Sequence, residues 1–206
     1  MTSSDPEIVG YIGQDILGSA GVEFDLAHDR LAFYQPKDCA KADLIYWSPN
    51  FSLAPLRRRD PALPHFATTV VVNGKAMQAM ISTTTRYSTM DLGPARSVGV
   101  TPQSPGVRRV ARFDVKPQDA WVGVFTSVAI GDEQVKNVSL TFSDLWSQAR
   151  ATETGSRLAK AVEGFPPLVL GQDFLRAHRL LLATSQGRMY MTYNGGGIFK
   201  TAPPAN

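Results

Sequence analysis

The hydrophobic and polar positions of this chain follow the two-residue period of β-strands over most of its length. "FATTVVVNGKAMQAMIS", from Phe66, holds two apolar runs around Asn73-Gly74, a dipeptide suited to the positive φ angles of a tight hairpin turn. "WVGVFTSVAIGDEQVKNVSLTF" (121–142) predicts further strands with a turn near Gly131-Asp132. Short helices are predicted in "MDLGPARSVG" (90–99) and "SDLWSQARA" (143–151), and 153–167 is a helix end or a loop. The class is mainly β with a few short helices.

The pattern also repeats. "YIGQDILGSAGVEFDLAHDRLAFY" (11–34) lies over "VLGQDFLRAHRLLLATSQGRMYMT" (169–192) without a gap. Gly13-Gln14-Asp15 falls on Gly171-Gln172-Asp173, Leu17 on Leu175 and Arg30 on Arg188. Each copy predicts an apolar strand ending at Gly, a short helix and a β-hairpin, with turns at 27–30 and 184–187. Two copies this far apart indicate a duplicated or two-lobed architecture rather than a solenoid. Between them, 39–66 carries prolines, asparagines and the Arg57-Arg58-Arg59 triplet, and is expected to be a linker.

Composition narrows the function. With 206 residues, 43% apolar and 19% charged, the chain is long enough for one substantial domain or two small ones. A net charge of +3 with short basic clusters gives no case for nucleic acid. One cysteine, Cys39, excludes an intramolecular disulfide, and His28, His65 and His178 lack metal-ligand spacing. No metal or cofactor is expected. No run reaches the roughly 18 apolar residues of a membrane span, and Met1-Thr2-Ser3-Ser4-Asp5 does not open a signal peptide.

The most unusual stretch is "AMISTTTRYSTM" (79–90), an apolar run that drives into four hydroxyl residues, Ser82 to Thr85. Together with the hairpin before it and the helix after it, 70–100 resembles the start of a retropepsin-like aspartic peptidase lobe. "PLVLGQDFLRAHRLLLATSQGRMYM" resembles the closing segment of the same lobe, with Val169-Leu170-Gly171 as the second half of a ψ-shaped loop. The resemblance covers 66 to about 199 as a complete lobe, and 8–36 as the closing segment of another. It implies an acid-protease β-barrel lobe of the bacterial two-lobed type. The implied division is 1–39 closing an incomplete first lobe, 40–65 linker, 66–200 complete lobe and 201–206 tail.

On this resemblance Ser82 stands where the family has its catalytic Asp, Thr83 matches the family Thr, and Thr84 replaces the Gly. Thr85, Gly106 and Val107 are implied substrate contacts, and Leu170, Gly171, Gln172 and Asp173 form the structural loop. Aspartic peptidases need two carboxylates that share a proton. A serine hydroxyl cannot take a proton from water near neutral pH. Thr84 also puts a branched side chain where glycine lets the backbone approach closely. The expected role of the hydroxyls is to bond one another and nearby backbone. No Gly-x-Ser-x-Gly elbow surrounds Ser82 and no histidine lies nearer in sequence than His65, which disfavours a serine hydrolase.

Asp15, Asp173 and Asp91 are expected to cap helices. Trp121, Phe125 and Trp146 are expected to pack in the core, and Cys39 to be inert. Three functions stay open: an inactive peptidase-fold domain, an altered or truncated form of an active aspartic endopeptidase, and a peptide-binding module working by strand addition. Expected partners are an extended peptide and either a second copy or a missing N-terminal segment of the same protein. The hairpin side chains Phe24, Leu26, Leu31 and Phe33 are expected to be buried by that packing. The compartment is open; an upstream signal, if removed, implies an exported or periplasmic bacterial protein.

Overall fold

Alternating β-branched and aromatic residues build strands because each strand can turn one row of side chains inward and the other out. The computed structural model describes residues 12–35, 37, 41–60, 63–110, 119–146, 165–201 and 203. In chain order the elements are α1 (Gln14–Leu17), β1 (Gly21–Asp25), a 3₁₀ turn (Leu26–His28), β2 (Arg30–Tyr34), β3 (Ser52–Asp60), β4 (Leu63–Val72), β5 (Lys75–Ile81) and β6 (Thr89–Asp91). They continue with α2 (Leu92–Ser97), β7 (Arg108–Val110), β8 (Ala120–Ile130), β9 (Glu133–Ser143), β10 (Leu168–Leu170), α3 (Gln172–Ala177), β11 (His178–Ala183) and β12 (Arg188–Tyr193).

The strands order as β2-β1-β11-β12-β3-β4-β5-β10-β6-β9-β8-β7, and β4 also pairs with β8. That extra pairing, Val70↔Ile130 to Val72↔Val128, closes β4, β5, β10, β6, β9 and β8 into a six-strand barrel. The fold is mainly β with short helices, as the sequence predicts. Asn73 and Gly74 take φ of 48° and 82° in the β4–β5 hairpin, as a two-residue turn requires. Val70, Val72, Ala79, Phe125, Leu140 and Phe142 are buried in the main core cluster. Phe142 stacks with Trp121 at 5.8 Å and meets Phe125 edge-on at 6.4 Å.

Only two pairings among the described strands are parallel, and both involve the centre of the barrel. β10 runs parallel to β5 (Leu170↔Ile81) and antiparallel to β6 (Val169↔Thr89), so it lies between two strands consecutive in sequence. β6 in turn runs parallel to β9. A strand inserted between neighbours in this way defines the ψ-shaped crossing. Leu168, Val169 and Leu170 are all buried, as a strand covered on both faces demands.

The two copies of the repeat form α1–β1–β2 and α3–β11–β12. β1 pairs antiparallel with β11 as Val22↔Leu182, Glu23↔Leu181 and Phe24↔Leu180. Glu23 and Leu181 hold the same place in the two copies, so the register puts a local two-fold axis between them.

Several expectations fail or fall elsewhere. The stretch expected as linker contains β3 and the start of β4; Ala54 and Leu56 are buried, and β3 bridges β12 to β4. Leu31 and Phe33 are not buried, although Phe24 is. The strand expected just before Gly13, Cys39 and most of the helix expected at 143–151 lie outside the described residues. Trp146, at its start, donates its indole N–H to the Pro166 carbonyl (3.0 Å) and stacks on Phe165.

Candidate functional site at the ψ-loop

Residues 82–88 connect β5 to β6 and wrap around the end of β10. The Ser82 N–H donates to the Leu170 carbonyl (2.9 Å), continuing the β5–β10 pairing past Ile81. The Gln172 N–H donates to the Thr85 carbonyl (2.8 Å), and the Gln172 side-chain amide donates to the Thr83 carbonyl (2.8 Å). The Gly171 N–H donates to Ser88 Oγ (2.9 Å). A Cβ on Gly171 would stand 2.6 Å from the Thr85 carbonyl oxygen and 2.9 Å from the Tyr87 carbonyl carbon, so only glycine fits this crossing.

The hydroxyls of the loop satisfy one another. Ser82 Oγ pairs with Thr85 Oγ1 at 2.9 Å and with Thr84 Oγ1 at 3.2 Å, and accepts the Thr85 N–H at 3.2 Å. Thr83 and Thr84 are exposed, while Ser82 and Thr85 are half-buried. A cluster of this kind donates and accepts hydrogen bonds at the mouth of the loop, and none of its members is a base near neutral pH.

Asp173 has a different role from the helix cap expected of it. The cap position of α3 is Gly171, which has no side chain to offer. Asp173 Oδ1 instead accepts the Ser88 N–H (2.8 Å), the Ser88 hydroxyl (2.7 Å) and the Phe174 N–H (2.9 Å); Oδ2 accepts the Lys200 N–H (3.1 Å). The carboxyl is therefore a buried clasp that ties the loop to the segment after β12. Burial raises its pKa, and the bonds from Ser88, Phe174 and Lys200 only partly offset that. Asp91 stands at the cap position of α2 but makes no side-chain cap bond there; its carboxylate accepts the Leu145 N–H (2.9 Å). The side chain of Asp15 lies outside the described residues.

Beside the clasp is a cavity of about 500 Å³ lined by Arg86, Tyr87, Gln172, Asp173, Arg176 and Lys200. The Arg86 guanidinium lies 5.4 Å from the Tyr87 ring centre. Sequence reasoning missed Ser88, Arg86 and Lys200, because their meeting depends on the crossing of β10 rather than on local spacing. The structure thus joins Ser82, Thr83, Thr84, Thr85, Leu170, Gly171, Gln172 and Asp173 into one loop system. Gly106 and Val107 lie on the turn before β7; Val107 packs on the core around Gly123. Among the described residues, no hydrogen bond connects those two to loop 82–88.

A second polar cluster lies at the local two-fold. Glu23 is fully buried, and its carboxylate accepts from Tyr34 (2.7 Å), Tyr46 (2.8 Å) and Arg179 (2.8 Å and 3.0 Å). The Arg179 guanidinium lies over Trp47 at 4.3 Å. Burial opposes ionisation of Glu23, but the Tyr34, Tyr46 and Arg179 bonds and the Arg179 charge together hold its pKa below the ordinary value. Burial, then Tyr46 and Glu23, pushes the Tyr34 phenol up. The sequence signal was an acid within the apolar strand "GVEFD", where the second copy has Leu181. Among the described residues no cluster of His, Cys, Asp and Glu is arranged to hold a metal ion, and no helix is long and apolar enough to cross a membrane.

The class that fold and loop define is an acid-protease-like β-barrel lobe, closed by six strands and crossed by a ψ-loop. Three solved structures are similar to it at low identity. A retropepsin-like aspartic protease from Rickettsia conorii is 13% identical over 72% of this chain and 98% of its own, with a TM-score of 0.45. Basic 7S globulin from soybean is 10% identical over 84% of this chain and 50% of its own (TM-score 0.37). An aspartic proteinase from Irpex lacteus is 12% identical over 84% and 55% (TM-score 0.41). No protein-family model matches the chain, and no curated protein matches it in sequence.

Proposed function

We propose that this chain is an aspartic-peptidase-fold domain that holds extended peptide segments at the ψ-loop without cleaving them by the aspartic mechanism. The observation that carries this reading is the cluster of Ser82, Thr84 and Thr85 hydroxyls, centred on Ser82, at the place where, on the resemblance, the catalytic Asp-Thr-Gly stands. General-base activation of water requires a group that titrates in the working pH range, and a hydroxyl does not. The carboxyl packed against the loop, Asp173, supports the same reading: one of its oxygens holds Ser88 of the loop and the other the Lys200 N–H.

On this reading Ser82, Thr83 and Thr84 hold a peptide or a water by hydrogen bonds. Thr85, Gly106 and Val107 contact the peptide, and Leu170 to Asp173 support the loop. Residues 1–39 close one lobe, 40–65 connect, 66–200 form the complete lobe and 201–206 a tail, with the connection contributing β3. Completion of the first lobe requires a second copy or an N-terminal segment of the same protein.

An altered form of an active endopeptidase is the second reading. It is favoured by the intact backbone frame around Ser82, which bonds to Leu170 as a functional loop would.

An NMR titration with an extended apolar peptide separates the readings. The first predicts amide shifts at 82–88 and their neighbours and at Gly106 and Val107, with the peptide mass unchanged. Absence of shifts removes the binding role. Restoring Ser82→Asp and Thr84→Gly in a polypeptide extended upstream produces cleavage if the second reading holds.

A further inference from the structure

The cavity beside the ψ-loop collects cations that the fold leaves without a counter-charge. Arg86 comes from loop 82–88, Arg176 from α3 and Lys200 from the segment after β12, and all three line the same space of about 500 Å³. That volume falls within the usual range of ligand clefts. Among the described residues none of the three forms an ion pair, whereas Arg30, Arg109 and Arg179 each stand against a carboxylate. The Arg86 guanidinium lies against the Tyr87 ring, and Arg176 gives one N–H to the Leu26 carbonyl (3.2 Å). Lys200 is fixed through its backbone, by the N–H bond to Asp173, so its position is set while its ammonium group is left over.

Asp173, the one carboxyl in the lining, is buried, and its oxygens accept from Ser88, Phe174 and the Lys200 backbone. It therefore neutralises none of the three cations by direct contact. A second observation ties the cavity to the hydroxyl cluster. Gln172 lines the cavity, and its side-chain amide donates to the Thr83 carbonyl (2.8 Å). Gln172 and Arg176 are four residues apart on α3 and so share a face of it. Arg86 follows Thr85 directly in the chain.

We propose that this cavity binds a carboxylate carried by the peptide that the loop holds, either its C-terminal carboxylate or an Asp or Glu side chain. A guanidinium offers a carboxylate two parallel hydrogen bonds, and the Lys200 ammonium adds a point charge. In placing the peptide the inference rests on the reading of the loop proposed above; the cationic cavity stands on its own residues.

The test compares three peptides on the 206-residue chain by fluorescence anisotropy and NMR. One is an extended apolar peptide with an amidated end, one its twin with a free C-terminal carboxylate, and one an amidated twin with an internal Asp. An acidic twin is expected to bind about tenfold tighter than the neutral peptide at low salt, an advantage that shrinks as salt rises. Whichever acidic twin gains identifies the source of the carboxylate. The side chains of Arg86 and Lys200 make no hydrogen bond among the described residues, so Arg86→Gln with Lys200→Gln is expected to leave thermal unfolding unchanged. In that variant the advantage is expected to fall to about twofold or less. Equal affinity for the three peptides, with shifts at 82–85, overturns the inference and leaves the peptide-holding reading intact. An acidic advantage that persists undiminished in the double variant also overturns it. Absence of binding by all three peptides removes both. Inorganic phosphate that binds more tightly than either acidic twin overturns the carboxylate assignment.

Discussion

Gly171 lies where the loop and the closing strand come closest, and its role is steric rather than conformational. The hydrogen-bond frame from Ser82 to Ser88 holds backbone atoms within 3 Å of the site a Cβ would take. Gly171→Ala is therefore expected to destabilise the chain by about 1–3 kcal/mol, the usual range for overpacking a rigid site, read from urea unfolding. Asp173, two residues on, gives a pH-dependent signature. Its folded pKa is raised by burial, so the native state binds its proton more tightly than the unfolded chain does. Its contribution to stability is then fully present below the ordinary Asp value of about 3.9 and declines as pH rises through the folded value. In Asp173→Asn that decline should vanish, so the stability of wild type relative to the variant should fall as pH rises. Unfolding titrations across that window check it. That Asp173 opens a short helix was legible in the sequence; that it serves Ser88 instead was not, because the partner lies 85 residues away.

At the scale of elements, the first hairpin is held by a buried charge as well as by Val22 and Phe24 in the core. Glu23 has no water to return to, and Arg179 lies between it and Trp47. Glu23→Ala takes the nearer carboxylate from a largely buried guanidinium that keeps Asp25 at 3.7 Å, and a loss of about 3 kcal/mol, the low end for breaking a buried pair, is expected in urea unfolding. The folded pKa of Glu23 is lowered, so its stabilisation is present above the ordinary Glu value of about 4.3 and is lost as pH falls through the folded value. The paired strands around Asn73-Gly74 and Gly131-Asp132 were legible because turn chemistry and alternation agree there. β3 was hidden by Pro55 and the arginine triplet. The strand tolerates them because it changes partners midway: Ser52 to Pro55 pair with β12, and Leu56 to Asp60 pair with β4. The Leu56 N–H bonds toward β12 at the Gly187 carbonyl, so the Pro55 nitrogen faces the opposite side, where pairing with β4 begins only at Leu56.

At the scale of the whole molecule, the order of segments made the ψ-loop legible. The resemblance carried by 70–100 and Val169-Leu170-Gly171 implied the crossing, and β10 does lie between β5 and β6. Burial of Leu31 and Phe33 was expected and is not found, because alternation along a strand tells which face is apolar and not whether anything covers it. On the reading proposed above, Ser82 supports no aspartic catalysis. The direct measurement incubates the 206-residue chain with a denatured protein substrate from about pH 3 to pH 7, the range over which paired carboxylates work, with and without an aspartic-peptidase inhibitor. No inhibitor-sensitive fragments are expected at any pH, and Ser82→Ala should give the same blank result. Inhibitor-sensitive cleavage by this chain that disappears in Ser82→Ala would contradict that reading.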